Sequence, residues 1–298
     1  MDRRRALGFL AAAAGAASLP RPALAEAALA RPIPASGEKL PPVGLGTWLT
    51  FDVTSAADRA VRGEVMRAFF EGGGRMVDSS PMYGASEETI GAALPANGKA
   101  MFSATKVWTV GALAGRRQLE NSYRLWRLQR FDLLQVHNFL DYETHLATLK
   151  RMKAEGRVRY IGVTTSHGRR HDEVEKIMRS QPIDFVQITY NALDREIESR
   201  ILPLAKERKI AIICNRPFQR GELIHRVARA PLPAYAAEID CASWPQLLLK
   251  FIVSHPAVCC AIPATTRVDH VRENVGASYG RMPDEALRRR IAADVEKI

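Results

Sequence analysis

From Leu40 onward the chain alternates short apolar runs with longer stretches in which apolar side chains return every three or four positions. The runs are VGLGT (43–47), RMVDS (75–79), MFSATK (101–106), FDLLQVH (131–137), VRYIGVT (158–164), DFVQIT (184–189), KIAIIC (209–214) and VCCAIP (258–263). The first seven begin 25 to 32 residues apart, the length of one β-then-α unit. Between them the spacing is helical. Leu146, Leu149 and Met152 share a face that stops at Gly156. Ile197, Ile201 and Leu204 share another, with basic residues toward its end. Ser86 ahead of Glu87 and Glu88 predicts a helix start. Eight such units with no composition break predict an α/β fold, a single-domain (β/α)8 barrel over residues 26–298. Residues 33–41, turning at Ser36 and Gly37, predict a small N-terminal hairpin under the barrel. Leu287 and Ile291 mark a final amphipathic helix, and the wider gap before the eighth run holds an extra loop with Pro231, Pro233 and Pro245.

Residues 1–25 follow a different pattern. Arg3, Arg4 and Arg5 precede an uncharged stretch from Ala6 to Leu19, then Pro20, Pro22 and the small-residue end Ala23-Leu24-Ala25. Basic, apolar and small parts in that order predict a signal peptide. Adjacent arginines with weak hydrophobicity point to the twin-arginine export machinery and a periplasmic or otherwise exported protein. The apolar part is short and alanine-rich, which argues against a stable membrane anchor.

Composition refines this picture in three places. Hydrophobic residues at 47% and charged residues at 25% exclude disorder for the bulk of the chain. The net charge is +11, or +8 after cleavage at Ala25, but the basic residues are scattered without a run or an aromatic-interleaved motif, so nucleic acid is not an expected partner. Cys214, Cys241, Cys259 and Cys260 form no CxxC pair, and three of them lie in strand-like runs, where thiols behave as small hydrophobes. Export would permit a disulfide, but spacing pairs none of them.

Barrel enzymes carry their chemistry at the C-terminal ends of the strands. Those ends supply Asp78, Lys106 and His137 from the second, third and fourth runs, and Thr164 and Gln187 from the fifth and sixth. Tyr83 follows Asp78 in a loop with Pro81 and Gly84. Carbonyl reduction needs a hydride at carbon and a proton at oxygen. A tyrosine with its ordinary pKa near ~10 is a poor donor unless a neighbouring ammonium stabilises its phenolate. Lys106, held by Asp78, is suited to that work and His137 to orienting the carbonyl. Taken singly, Asp78 and Lys106 also read as a structural ion pair, Tyr83 as packing and His137 as a core histidine.

The run VDSSPMYGASEETIGAAL resembles the signature of the aldo-keto reductases, and SATK, DLLQVH, GRVRYIGVTT, FVQITYN and AIPATTRVDHVRENVGA are similar to that family's later strands in order. The likeness covers about residues 31–280. It implies an NADP(H)-dependent oxidoreductase, NAD(H) not excluded, acting on a small-molecule carbonyl or alcohol. Tyr83 would be the general acid, tuned by Lys106 and Asp78, with His137 orienting the substrate. No G-x-G-x-x-G or G-x-x-x-x-G-K-[ST] motif is present, and the family binds its nucleotide across the barrel mouth. Gly46, Thr47 and Trp48 would then lie on the nicotinamide side, with Thr164, Thr165 and Gln187 on the carboxamide. The loop 215–221, including Asn215, Arg216, Phe218 and Gly221, would hold the pyrophosphate. Thr265, Thr266, Arg267, His270 and Asn274 would receive the adenosine end.

The chain departs from the family in three places. Thr164-Thr165 stands for Ser-Asn, Asn215 for an aromatic that stacks on nicotinamide, and Ala264 for a lysine, leaving Arg267 to supply charge for a 2′-phosphate. His167 and His171 have i, i+4 spacing, but Gly168 lies between them and no third ligand is evident, so no metal is expected. Trp48, Trp108 and Phe218 are candidates for an apolar substrate wall or for loop packing. Two other functions fit the same barrel: a non-catalytic NADP(H)-binding sensor or regulatory subunit, and a Schiff-base lyase using Lys106.

Overall fold

The computed structural model describes residues 28–166 and 169–298. The export signal at 1–25 and His167 of the histidine pair lie outside the described residues. A two-stranded hairpin, β1 (Arg31–Pro32) and β2 (Lys39–Leu40), comes first. The eight barrel strands are β3 (Leu45–Gly46), β4 (Met76–Asp78), β5 (Phe102–Val107), β6 (Phe131–His137), β7 (Val158–Thr164), β8 (Phe185–Thr189), β9 (Ala211–Asn215) and β10 (Val258–Ala261). They pair in parallel in sequence order. The sheet closes on itself where Gly44 N donates to Ala261 O at 2.8 Å and Gly46 N to Pro263 O at 2.9 Å. Gly46 permits that closure, since a Cβ there would meet Ile262 O at 2.8 Å. The (β/α)8 barrel and its hairpin are therefore as expected, with β3 shorter than the run 43–47.

Around the barrel run α1 (Ala56–Glu71), α2 (Ser86–Ala93), α3 (Ala112–Trp126), α4 (Tyr142–Ala154), α5 (His171–Ser180), α6 (Ile201–Arg208), α7 (Glu222–Val227), α8 (Trp244–Val253), α9 (Val268–Gly276) and α10 (Glu285–Lys297). Local sequence sets their ends. Ser55, Ser243 and Asp284 cap α1, α8 and α10 through their side-chain oxygens. Gly156, at φ +74°, follows α4 in the left-handed region. The helix start expected at Ser86 is where α2 begins, although the Ser86 hydroxyl donates to Thr47 O at 3.3 Å and the preceding Ala85 makes no side-chain cap bond. Two local expectations are corrected. Pro245 sits in the first turn of α8, where a missing N–H costs nothing, and Pro231 and Pro233 both precede a 3-10 turn over Ala234–Ile239. Ile197 belongs to a separate 3-10 turn ahead of α6.

The two-residue period of the strands sorts side chains between two cores. Met76, Phe102, Ala104, Leu133, Tyr160, Phe185, Ala211 and Ile213 fill the barrel interior, sealed from below by Ile33 and Leu40 of the hairpin. Val77, Val163, Val186, Ile188 and Ile212 face outward against the helices. The hairpin is fastened by Tyr160 Oη donating to Ser36 Oγ at 2.7 Å and by Arg159, which bridges Glu38 and Asp132. Each inward row continues upward into polar residues: Met76 to Asp78, Ala104 to Lys106, Leu133 through Gln135 to His137, Phe185 to Gln187. The same alternation thus packs the bottom of the barrel and builds the site at its top. Among the described residues no helix is long and apolar enough to cross a membrane, and the four cysteines are buried and free.

His255, packed edge-on against Tyr190, has its pKa pushed down to about 4 by burial and by Arg288. The folded state therefore binds fewer protons than the unfolded chain once pH falls below the ordinary histidine value. Stability is full above that value and is lost as pH falls through the folded one. The thermal midpoint is expected to drop between about pH 6.5 and 4, and to drop less in His255→Asn; equal slopes by scanning calorimetry would refute the assignment.

Candidate active site

Asp78 ends β4 and Lys106 lies near the end of β5, on neighbouring strands with both side chains turned inward. Lys106 Nζ donates to Asp78 Oδ2 and to Ser79 O, each at 2.6 Å. Asp78 Oδ1 accepts from Gln135 Nε2 at 3.3 Å, and the Asp78 carbonyl accepts from Thr47 Oγ1 at 2.9 Å. Both charged residues are almost fully buried, at 3% and 1% exposure, which is why every oxygen of Asp78 is engaged. Lys106 Nζ faces the Tyr83 ring 5.3 Å from its centroid. The Tyr83 ring meets His137 edge-on, with centroids 6.0 Å apart. His137 Nδ1 lies 3.1 Å from Ser80 Oγ. The four side chains read from separate strand ends are therefore one cluster. Its supporting groups, Gln135, Ser79 and Ser80, went unnoticed in the sequence. Gln135 was detectable, because it occupies the inward position two before His137.

The electrostatics separate the roles. Burial pulls the Lys106 ammonium down, but the charge and hydrogen bond of Asp78, with Tyr83 and Glu87 adding to them, together hold it above its usual pKa. Burial, reinforced by the Lys106 charge, drives His137 down to about 3, so it is a neutral imidazole at ordinary pH. Tyr83 corrects an expectation. Burial raises its phenol above the usual value, Asp78 adds to the rise, and the opposing pull of Lys106 does not overcome them. In the unliganded protein Tyr83 is thus a firmly protonated phenol, with Lys106 limiting a rise that burial would otherwise make larger.

A cavity of about 550 Å³ opens above this cluster and runs from the ends of β3 and β4 to α9. Gly46, Thr47 and Trp48 line it beside Asp78, Tyr83 and His137, and Thr164 and Gln187 form its floor. Asn215, Arg216, Phe218 and Gly221 line the side at β9, and Thr265, His270 and Asn274 the far end. Thr165, Thr266 and Arg267 are not brought into this lining. The Thr165 hydroxyl bonds backbone carbonyls of its own loop. Arg267 is exposed and paired with Asp269. The hydroxyl at the start of α9 that accepts a backbone N–H is that of Thr265, 3.1 Å from Arg267 N, and not that of Thr266. Trp108 stands 40% exposed outside the cavity, whereas Trp48 lies under Arg220 at 4.4 Å. Asn215, in the place of the family's aromatic, is used internally: it accepts from Thr189 Oγ1 and donates to Thr165 O.

Three buried donors along this cavity, the Thr50 hydroxyl, Gln187 Nε2 and Arg216 Nε, have no partner among the described residues. Gln187 gives its Oε1 to Thr164 Oγ1 at 2.7 Å, leaving Nε2 unbonded, and Arg216 Nε is likewise unbonded. Unmet buried donors are costly, so they mark places where a ligand with acceptor oxygens would be received. Arg216, Gln219 and Arg220 all have positive φ in the loop after β9, as do Asn138, Phe139 and Asp141 after β6. Left-handed backbone at non-glycine residues costs about 1–3 kcal/mol each and gathers at functional sites. Among the described residues no group of three or more metal-ligating side chains converges, and His171 pairs with Glu196 at 3.0 Å.

A closed parallel barrel with a buried acid–lysine pair, a tyrosine and a neutral histidine at its C-terminal mouth defines a class of barrel oxidoreductase. The chain belongs to the Aldo/keto reductase family, which it matches over residues 42–291. It is 30% identical over 199 residues to Aldo-keto reductase YhdN of Bacillus subtilis, a match covering 61% of this chain and 59% of that protein. It is 26% identical over 179 residues to the NADH-specific methylglyoxal reductase of Escherichia coli, covering 51% and 54%. The chain thus spans little more than half the length of these curated relatives. In three dimensions it is similar to the holo form of an aldo-keto reductase from Bacillus halodurans, with TM-score 0.74, 21% identity and coverage of 90% of this chain and 96% of that one. It also resembles an aldo-keto reductase from Klebsiella pneumoniae in complex with NADPH, with TM-score 0.70, 23% identity and coverage of 90% and 95%.

Replacing Lys106 by Met tests the cluster directly. It leaves Asp78 charged and unpaired in the interior, so a loss of about 3–5 kcal/mol in urea unfolding is expected. Ultraviolet difference titration should show Tyr83 ionising at still higher pH. An unmoved phenol would separate Lys106 from Tyr83.

Proposed function

We propose that this protein transfers a hydride between NADP(H) and the carbonyl carbon of an aldehyde or ketone, with Tyr83 as the general acid. The carrying observation is the juxtaposition of the Tyr83 ring with a buried Lys106 ammonium and a neutral His137. The cavity suits the dinucleotide. Gln187 Nε2 is a free donor for a carboxamide oxygen, and Arg216 offers a buried N–H beside the loop that would hold the pyrophosphate. His270 and Asn274 line the end assigned to adenosine. When bound, the cofactor supplies or accepts the hydride. NAD(H) is accepted in the same reading, because the charge proposed for the 2′-phosphate, Arg267, is shared with Asp269.

The chain's own residues manage the proton. A carbonyl oxygen placed between the Tyr83 hydroxyl and His137 becomes basic as hydride reaches its carbon, and the phenol then gives up its proton. The resulting phenolate is stabilised by the Lys106 ammonium, which Asp78 and Ser79 O hold in place. With the Ser80 hydroxyl 3.1 Å from its Nδ1, His137 in the tautomer that accepts there would present the N–H of its other nitrogen to the substrate oxygen. Because its pKa is about 3, it orients without donating its own proton. The Schiff-base alternative requires a neutral Lys106, and the charge held there by Asp78 opposes it. A cofactor sensor would bind NADPH without turnover.

Tyr83→Phe is expected to keep NADPH binding, read as fluorescence quenching, while turnover on an aldehyde panel falls by about 10²–10⁴-fold. Undiminished turnover would remove Tyr83 from the mechanism, and quenching without turnover in the wild type would favour the sensor.

The reading includes export. Residues 1–25 are proposed to direct the chain through the twin-arginine machinery, on the strength of Arg3–Arg5 and the weakly apolar stretch behind them. In a bacterial host, replacing Arg4 and Arg5 by Lys is expected to leave the protein uncleaved and inside the inner membrane. Equal periplasmic recovery of both forms would refute this route.

A further inference from the structure

The cavity chemistry makes no use of one buried acid. Glu87, in the first turn of α2, is 1% exposed and touches no cation directly. Its Oε1 accepts from Thr105 Oγ1 at 2.6 Å and from Trp126 Nε1 at 3.0 Å, and its Oε2 from Ser122 Oγ at 2.9 Å. Three neutral donors converging on one carboxylate are what a buried anion needs, and more than helix packing requires.

Its neighbours in sequence give this arrangement a consequence. Thr105 adjoins Lys106 on β5. Strand alternation turns Lys106 into the barrel and Thr105 out toward the helices. On the other side, Tyr83 lies four residues before Glu87, and the loop between is short and tightly bonded. Ser86 N donates to Tyr83 O at 3.1 Å, Ser86 Oγ to Thr47 O, and Ala85 N to Asp52 Oδ1 at 2.8 Å. The Thr105–Glu87 bond therefore joins the segment bearing the phenol to the strand bearing the ammonium, by a path outside the barrel.

We propose that Glu87 is a positioning residue that fixes the spacing of Tyr83 and Lys106 from behind the barrel wall, and that its charge is a second anion, after Asp78, acting on Lys106. This rests on the reductase reading for its kinetic expression, though the brace itself is geometric. The charged and titratable groups around the pair are Asp78 on β4, His137 on β6 and Glu87 on α2. Ser122 and Trp126 face Glu87 from α3 as neutral donors, and the adjacent Glu88 points away to pair with Arg59.

The signs follow. Removing the Glu87 charge leaves Lys106 less compensated, which favours phenolate, so the ionisation of Tyr83 moves to lower pH. Loosening the brace misplaces the phenol, for which about a tenfold to hundredfold loss of kcat is expected. Glu87→Gln removes charge and brace strength together, while Thr105→Val removes only the bond to β5. Both variants are assayed for NADPH quenching, for kcat across pH, and for tyrosine ionisation by ultraviolet titration against a Tyr83→Phe background.

The expected result is unchanged NADPH quenching, lower kcat in both, and an alkaline limb moved to lower pH in Glu87→Gln alone. Wild-type kcat with an unmoved limb overturns the proposal. So does lower kcat in Glu87→Gln with the limb unmoved, the mark of a merely structural acid. If Glu87→Gln fails to fold, the near-isosteric Thr105→Val decides: normal kcat in that folded variant overturns the brace. Absence of turnover in the wild type would instead count against the reductase reading, leaving the ultraviolet titration to judge Glu87.

Discussion

Two opposite charges, those of Asp78 and Lys106, lie in the middle of an otherwise apolar barrel, and most of the site is arranged around the cost of keeping them there. Moving either ion out of water costs several kcal/mol even after relaxation, and their mutual attraction repays it only when the remaining donors and acceptors are met. Gln135 and Thr47 complete Asp78, and Ser79 O accepts a second N–H of Lys106. The pair therefore explains why polar residues are stacked on the inward rows of β4, β5 and β6. It also explains why Tyr83 behaves as it does. Burial holds its phenol above the usual pKa, and the fixed ammonium is the charge that opposes this rise. In the reaction proposed above, Lys106 would matter most when negative charge forms on the tyrosine oxygen, and not in the resting state.

Three buried donors along the cavity are unmet, Gln187 Nε2 and Arg216 Nε toward β8 and β9 and the Thr50 hydroxyl near the end of β3. Protein interiors avoid unmet donors, so these mark places that would receive acceptor oxygens of a ligand. Left-handed residues lie beside them in the loops after β6 and β9. Their strain is borne by the closed barrel beneath, which offers these loops little freedom to relax.

The family's pattern is altered without loss of the cluster. Where the resemblance leads one to expect an aromatic, Asn215 ties the end of β9 to β8 through Thr189 and to the segment after β7 through Thr165. That side chain exchanges a surface for stacking against stiffness among three strand ends. Arg267 is similarly committed, in solvent, to Asp269. Exposed pairs of this kind are worth little, so the guanidinium is readily given to a competing anion.

Much of this was legible from one-dimensional pattern. Apolar runs at nearly constant spacing dictate eight strands and a barrel, because β-then-α units of that length can bury both faces of a parallel sheet in few ways. The two-residue period places Asp78, Lys106 and His137 inward at the strand tops, and loop chemistry puts Tyr83 within reach. Pattern could not report quantities that depend on contacts from distant segments. The net direction of the Tyr83 pKa depends on how deeply the ring is walled in. The bonding of Ser86 to Thr47 in place of a helix N–H depends on the neighbouring loop, as does the exclusion of Thr165, Thr266 and Arg267 from the cavity. The carboxylate of Glu87 looks in sequence like any acid favoured at a helix start, and only the packing of α2, α3 and β5 turns it inward among three donors. Periodicity decides which way a side chain points; only the folded chain decides what it meets there.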